Sequence, residues 1–178
     1  MPETDDTDIR EFLDHDYERM VAGLTLMTGS QAMAEDAVQE ALARAWERMD
    51  RGQRFDSLKA WVTVVATNLI RSGLRRLYAE RRARARLTAP DRPTGALERS
   101  EDRMDVIVAV RALPRRQREA TVLHYYLDLS VADVARALRV SEGAVKNALH
   151  HARRAVSAAL SDATDLPPNQ EEEDVAGR

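Results

Sequence analysis

The stretch from Asp128 to Val156, DLSVADVARALRVSEGAVKNALHHARRAV, leaves this chain the fewest ways to fold. Val131, Val134, Ala135 and Leu138 recur at the spacing of one apolar stripe on a short helix. Arg139, Val140 and Ser141 interrupt that stripe, and Ser141 is a good N-cap for a second helix. The second helix turns Val145, Leu149, Ala152 and Val156 inward. Its other faces carry Lys146, Asn147, His150, His151, Arg153 and Arg154. Ala135 supplies the small side chain that two closely crossing helices need between them. A short helix, a tight turn and a longer helix with a basic, amide-bearing face form the pattern of a DNA-binding helix-turn-helix.

Composition sets the rest of the chain around that motif. There is no cysteine, which removes disulfides, thiolate zinc sites and cysteine nucleophiles together. Few glycines and aromatics, with abundant Ala, Leu, Arg and Glu, predict an all-α chain. No apolar run approaches the ~20 residues that cross a bilayer, and the acidic start MPETDDTDIREF is no secretion signal, so a cytoplasmic location is expected. The net charge of −3 is unhelpful to a nucleic-acid binder only until its distribution is read. Acids crowd the two ends, whereas Arg71, Arg75, Arg76, Arg81, Arg82, Arg84 and Arg86 are nearly unopposed in the middle. Partner choice follows that local field.

In chain order, Ile9, Phe12, Leu13, Tyr17, Met20 and Leu24 predict a first amphipathic helix, ended at Thr28-Gly29-Ser30. A second, from about Gln31 to Met49, directs Ala34, Val38, Ala41, Leu42, Ala45, Trp46 and Met49 to a core. Asp36, Gln39, Glu40 and Glu47 remain outside. After the polar loop Asp50–Asp56 a third helix begins near Ser57 and buries Leu58, Trp61, Val62, Val65, Ala66 and Leu69, its pattern thinning past Gly73. Pro90, Pro93 and Gly95 then punctuate a stretch without periodic hydrophobicity. A second helical group follows, with Val106, Val110 and Leu113 on one stripe, an interruption at Pro114, and a helix marked by Val122, Leu123, Tyr126 and Leu129. The division expected is two small helical domains, 1–82 and 101–160, joined by a flexible linker over 83–100. An acidic disordered tail is expected over 161–178.

The segments AEDAVQEALARAW, KAWVTVVATNLIRSGLRR and LPRRQREATVLHYYLDLSVADVARALRVSEGAVKNALHHAR, in this order and spacing, resemble a bacterial sigma factor of the sigma-70 family. More narrowly, the chain is similar to the extracytoplasmic-function (ECF) group, which keeps only the promoter-melting domain and the upstream-element domain. The resemblance covers about residues 9 to 160 and implies core RNA polymerase and promoter DNA as partners, an anti-sigma protein as regulator, and no stable homo-oligomer. It puts Asp36, Gln39 and Glu40 on the helix that docks on the polymerase clamp. It puts Asn68, Arg71, Arg75 and Arg76 at the −10 element, where a base is flipped from the opened strand. An amide for the base edge and arginines for phosphates suit that task. At the −35 element it puts Ser141, Lys146, Asn147, His150, Arg153 and Arg154 in the major groove.

Three departures accompany the likeness. Ser72 stands where many members have Asp, Arg139 replaces the glycine usual in the helix-turn-helix turn, and the loop before Trp61 is short. That turn is therefore expected to adopt a conformation tolerable to a side chain. Phe55 in the loop could stack on a base or act as a lid over its own core. Catalysis finds no support. His150 and His151 are adjacent and diverge by about 100° on a helix, and there is no phosphate loop, nucleophile elbow or inward carboxylate pair. No cofactor is expected. Two other readings stay open: an autonomous homodimeric helix-turn-helix regulator, and a sigma-like interaction protein that does not start transcription.

Overall fold

The computed structural model describes residues 3–84 and 101–164, and within these every regular element is helical. The stretch 85–100 of the expected linker and residues 165–178 of the expected tail lie outside the described residues. Four helices form the N-terminal group: α1 (Glu3–His15), α2 (Tyr17–Thr28), α3 (Gln31–Asp50) and α4 (Leu58–Arg84). Gly29 closes α2 in the left-handed conformation, at φ 76°, and the Ser30 hydroxyl caps α3 by accepting from the Met33 amide. Helices α2, α3 and α4 pack together through Leu24, Ala34, Val38, Ala41, Ala45, Val62 and Ala66, all fully buried.

The C-terminal group comprises α5 (Glu101–Ala112), α6 (Arg115–Thr121), α7 (Val131–Leu138) and α8 (Glu142–Thr164). Pro114 separates α5 from α6, and Arg118 turns back to donate to the Arg111 carbonyl at 2.8 Å, satisfying an end of α5. From Val122 to Tyr126 the chain winds as a π-helical turn, with the Leu127 N–H donating to the Val122 carbonyl at 3.0 Å. The Ser130 hydroxyl caps α7 through the Asp133 amide at 3.1 Å, and Ser141 caps α8 through the Ala144 amide at 3.2 Å. Val145, Leu149 and Ala152 of α8 close this group against its other helices.

Several expectations need correction. The first helix is two helices, parted at Asp16, although the Asp16 amide still donates to the Phe12 carbonyl at 2.9 Å. Trp46 is 44% exposed: the inner stripe of α3 runs through Ala41, Ala45 and Met49, and the next residue points about 100° away. Val106 is 43% exposed because burial along α5 sets in only at Ala109. Helix α4 continues through Gly73 to Arg84, and α8 continues to Thr164, four residues into the expected tail. The segment marked by Val122 is π-helical, and Tyr126 within it is exposed.

The helix-turn-helix turn departs from expectation most usefully. Arg139 occupies the left-handed region at φ 53° and ψ 52°, the conformation a glycine would adopt with least strain. The backbone keeps the glycine geometry and the arginine accepts it.

The two groups also pack on each other. Their buried residues form one contiguous apolar cluster, from Phe12, Leu24, Val38 and Val62 to Leu123, Val134 and Leu149. Helix α4 lies against α7, and α2 lies against the π-helical turn. At Gly23 an added Cβ would stand 2.9 Å from the Tyr126 ring and 3.1 Å from a Leu127 methyl, so only glycine admits this approach.

Candidate nucleic-acid interface

Helix α8 presents the first candidate surface. Val145, Leu149 and Ala152 are buried, which fixes the rotation of the helix about its axis. Lys146, Asn147, His150, Arg153 and Arg154 are consequently all exposed. Among the described residues none of the five has a hydrogen bond to a side chain or an ion pair. Ser141, exposed, spends its hydroxyl on the helix cap. The rings of His150 and His151 stand 5.6 Å apart, edge to face, and the described residues contain no cluster of three or more His, Asp or Glu that could hold a metal ion.

The second surface, on α4, is engaged. Asn68 donates its amide N–H to the Val64 carbonyl one turn back, at 2.8 Å, and its oxygen accepts from Arg139 Nε at 3.1 Å. The partner is thus the left-handed turn residue of the helix-turn-helix. Arg71 donates to Glu119 at 3.1 Å, while Arg115 takes the other carboxylate oxygen at 2.7 Å. The Glu119 side chain is only 5% exposed, so one buried carboxylate is clasped by an arginine from each group. Burial pulls the Arg71 pKa below the ordinary arginine value. Glu119 opposes that shift and the neighbouring arginines Arg115, Arg75 and Arg116 add to it. Arg75 is exposed, and Arg76 follows on α4 with its side chain outside the described residues. Ser72 folds back onto the Asn68 carbonyl of its own helix at 2.6 Å.

The third surface is the outer face of α3. Asp36, Gln39 and Glu40 are exposed, and Glu40 pairs with Arg44 one turn on at 2.8 Å. Asp36 and Glu40 rim an open groove floored by Met33, Ala37, Leu69 and Ile70, between α3 and α4. Phe55 packs on Trp61, ring centres 4.8 Å apart, with the Arg48 guanidinium over the indole at 5.3 Å. The loop aromatic lies over its own core.

Sequence reasoning missed the residues that join the groups. Arg19 donates to the Tyr126 carbonyl at 2.8 Å and pairs with Asp128 at 2.9 Å. Lys59, paired with Asp16 of its own group at 2.9 Å, also reaches Asp128 at 3.8 Å. Glu119 sits in a run of charges, RRQREA, that looks like a solvated face. Gly23 alone carried a signal, since an isolated glycine inside a helical pattern often marks a close approach.

Two family models match this arrangement in order: sigma-70 region 2 over residues 13–80 and sigma-70 region 4 over residues 103–156. The chain belongs to the sigma-70 family of RNA polymerase sigma factors, in its ECF group. Among its relatives, the ECF RNA polymerase sigma factor SigL of Mycobacterium tuberculosis is 33% identical over 150 residues, covering 76% of this chain and 79% of SigL. The ECF RNA polymerase sigma factor EcfG of Rhodopseudomonas palustris is 32% identical over 151 residues, covering 80% and 81%. Among solved structures, sigma factor RpoE in complex with the anti-sigma factor NepR, from Bartonella quintana, superposes with a TM-score of 0.67. It is 25% identical and covers 86% of this chain and 97% of that one.

Proposed function

We propose that the chain binds core RNA polymerase through the α3 face bearing Asp36, Gln39 and Glu40, and directs promoter-specific initiation by reading two DNA elements. Family membership supports polymerase-directed initiation, with the chemistry left to the polymerase. The observation that carries the reading is the orientation of α8. Its apolar stripe is buried, so Lys146, Asn147 and His150 project from the first turns, toward base edges in a major groove. Arg153 and Arg154 lie further along, where phosphates position the protein without being read. Asn68, Arg71, Arg75 and Arg76 meet the −10 element once the strands part, the amide on a base edge and the arginines on phosphates. An anti-sigma protein is the further partner, as in the solved complex of RpoE.

Run-off transcription with purified core polymerase, followed by genome-wide mapping of start sites, tests this. Discrete starts that share two upstream elements and require the chain are expected. Transcription no different from core alone would leave a sigma-like interaction protein as the better account.

A further inference from the structure

Lys146, Arg153 and Arg154 of α8 stand exposed, and among the described residues no ion pair engages them. Elsewhere Arg19, Arg44, Lys59, Arg71, Arg115 and Arg136 are each paired with a carboxylate. Helix α8 is described to Thr164, and the sequence then reads DLPPNQEEEDVAGR. Four consecutive acids, Glu171, Glu172, Glu173 and Asp174, face a single cation in that stretch, Arg178. Pro167 and Pro168 lie between helix and acids, and neither has an N–H with which to continue α8. A short tether thus joins an unpaired basic face to an unbalanced acidic run.

The lengths let them meet. Arg154 and Arg153 precede Thr164 by about 15 to 17 Å along α8, at ~1.5 Å per residue. A reversal over residues 165–168 would place the four acids about 10 to 20 Å back along the helix, at ~3.3 Å per residue. That is level with Arg154 and Arg153 and short of Lys146, which is about 27 Å back. The charge spacing fits as well. Extended backbone presents one carboxylate per ~3.3 Å, close to the ~3.4 Å per phosphate along one DNA strand. We propose that Glu171–Asp174 docks on Arg153 and Arg154 in the free chain, as a stand-in for a DNA strand. So short a tether gives an effective concentration on the order of millimolar, which fills a contact too weak to form between separate molecules. Promoter phosphates displace the run, while Lys146 and Asn147, beyond its reach, stay open to base edges. The proposal rests on the duplex-reading role of α8 given above.

The test uses the full chain in two forms beside the wild type. One neutralises the run, as Glu171→Gln, Glu172→Gln, Glu173→Gln and Asp174→Asn. The other removes the same charge near the opposite end, as Asp5→Asn, Asp6→Asn, Asp8→Asn and Glu11→Gln. Docking is read with a nitroxide on Val175→Cys, a unique thiol because the chain has no cysteine. The signal is the broadening of α8 amide resonances at low and at high salt. Competition is read by filter binding of core polymerase carrying each form to a promoter found by start-site mapping. Circular dichroism checks that helicity is retained.

Broadening centred on Arg153 and Arg154 is expected at low salt, and it should vanish at high salt and in the run-neutralised form. Promoter binding should tighten about fivefold when the run is neutralised, if docking holds four-fifths of the unbound population. The form neutralised near the opposite end should bind as the wild type does. No broadening on α8, or broadening centred on the arginines of α4, overturns the proposal. Equal tightening by both neutralised forms overturns it too, because net charge alone would then explain the gain. So does unchanged binding by the run-neutralised form. In each of these cases the wild type still binds the promoter, so the function stands. If no form binds it, the function proposed above fails, and the broadening still decides whether the run docks.

Discussion

Helix α8, proposed to read duplex DNA, and the face of α4 proposed to meet the opened strand carry the same kinds of side chain, amides and arginines, in opposite states. On α8, Lys146, Asn147, His150, Arg153 and Arg154 stand exposed, held ready by the buried stripe beneath them. On α4, Asn68 and Arg71 are bonded to Arg139 and Glu119 of the other group. Among the described residues, duplex DNA can meet the first surface with no contact exchanged. An opened strand can meet the second only after protein contacts are exchanged for nucleic-acid ones. The difference teaches that composition identifies a surface fit for DNA, whereas availability is decided by what packs on it.

The largest effect expected comes from the joint core. Leu127, 1% exposed and packed over Gly23, belongs to the C-terminal group but contacts the N-terminal one. Leu127→Ala should lower stability by ~2–5 kcal/mol. Urea unfolding followed by circular dichroism should show a single transition moving as a whole. Two transitions, of which only one moves, would break the comparison by showing that the groups fold without reference to each other.

A smaller effect isolates the turn. Arg139→Gly and Arg139→Ala both lose the guanidinium on Asn68, but only alanine retains the left-handed strain at φ 53°. The glycine variant should be the more stable by ~1 kcal/mol. Equal stabilities in denaturant titrations would mean that the turn relaxes once the arginine is gone.

The smallest effect on stability belongs to α3. Asp36→Lys with Glu40→Lys should change folding free energy by no more than ~0.5 kcal/mol, since both are exposed. Binding to core polymerase, measured by fluorescence anisotropy, should nonetheless weaken clearly. Matching losses of stability and of core binding would make this face structural.

Much of this was legible in the residues. Gly29 and Ser30 end one helix and cap the next, and the periodicity of Val145, Leu149 and Ala152 orients α8 correctly. These are local signals, written in spacing and capping chemistry. Trp46 was misread because a large aromatic beside an alanine stripe invites burial, yet the alanines alone allow α3 its close approach to α4. The pairings between the two groups were not legible. Arg139 and Glu119 are 71 and 48 residues from their partners Asn68 and Arg71, and a single sequence does not encode pairings at that range in any periodicity. Arg139 was noticed only as a missing glycine. Its backbone is the glycine's, and its side chain is what reaches Asn68.

The central claim is that the two surfaces act at separate steps, and permanganate footprinting beside filter binding, on duplex and pre-melted promoter templates with core polymerase, tests it most directly. Asn147→Ala should weaken the closed, duplex-bound complex and alter preference at the −35 element, by ~1–3 kcal/mol for a lost base contact. Asn68→Ala should spare that complex and reduce strand opening, with pre-melted templates restoring much of the loss. If both substitutions damage the closed complex alike, the two surfaces do not divide the work, and a homodimeric regulator that reads duplex alone becomes the better account.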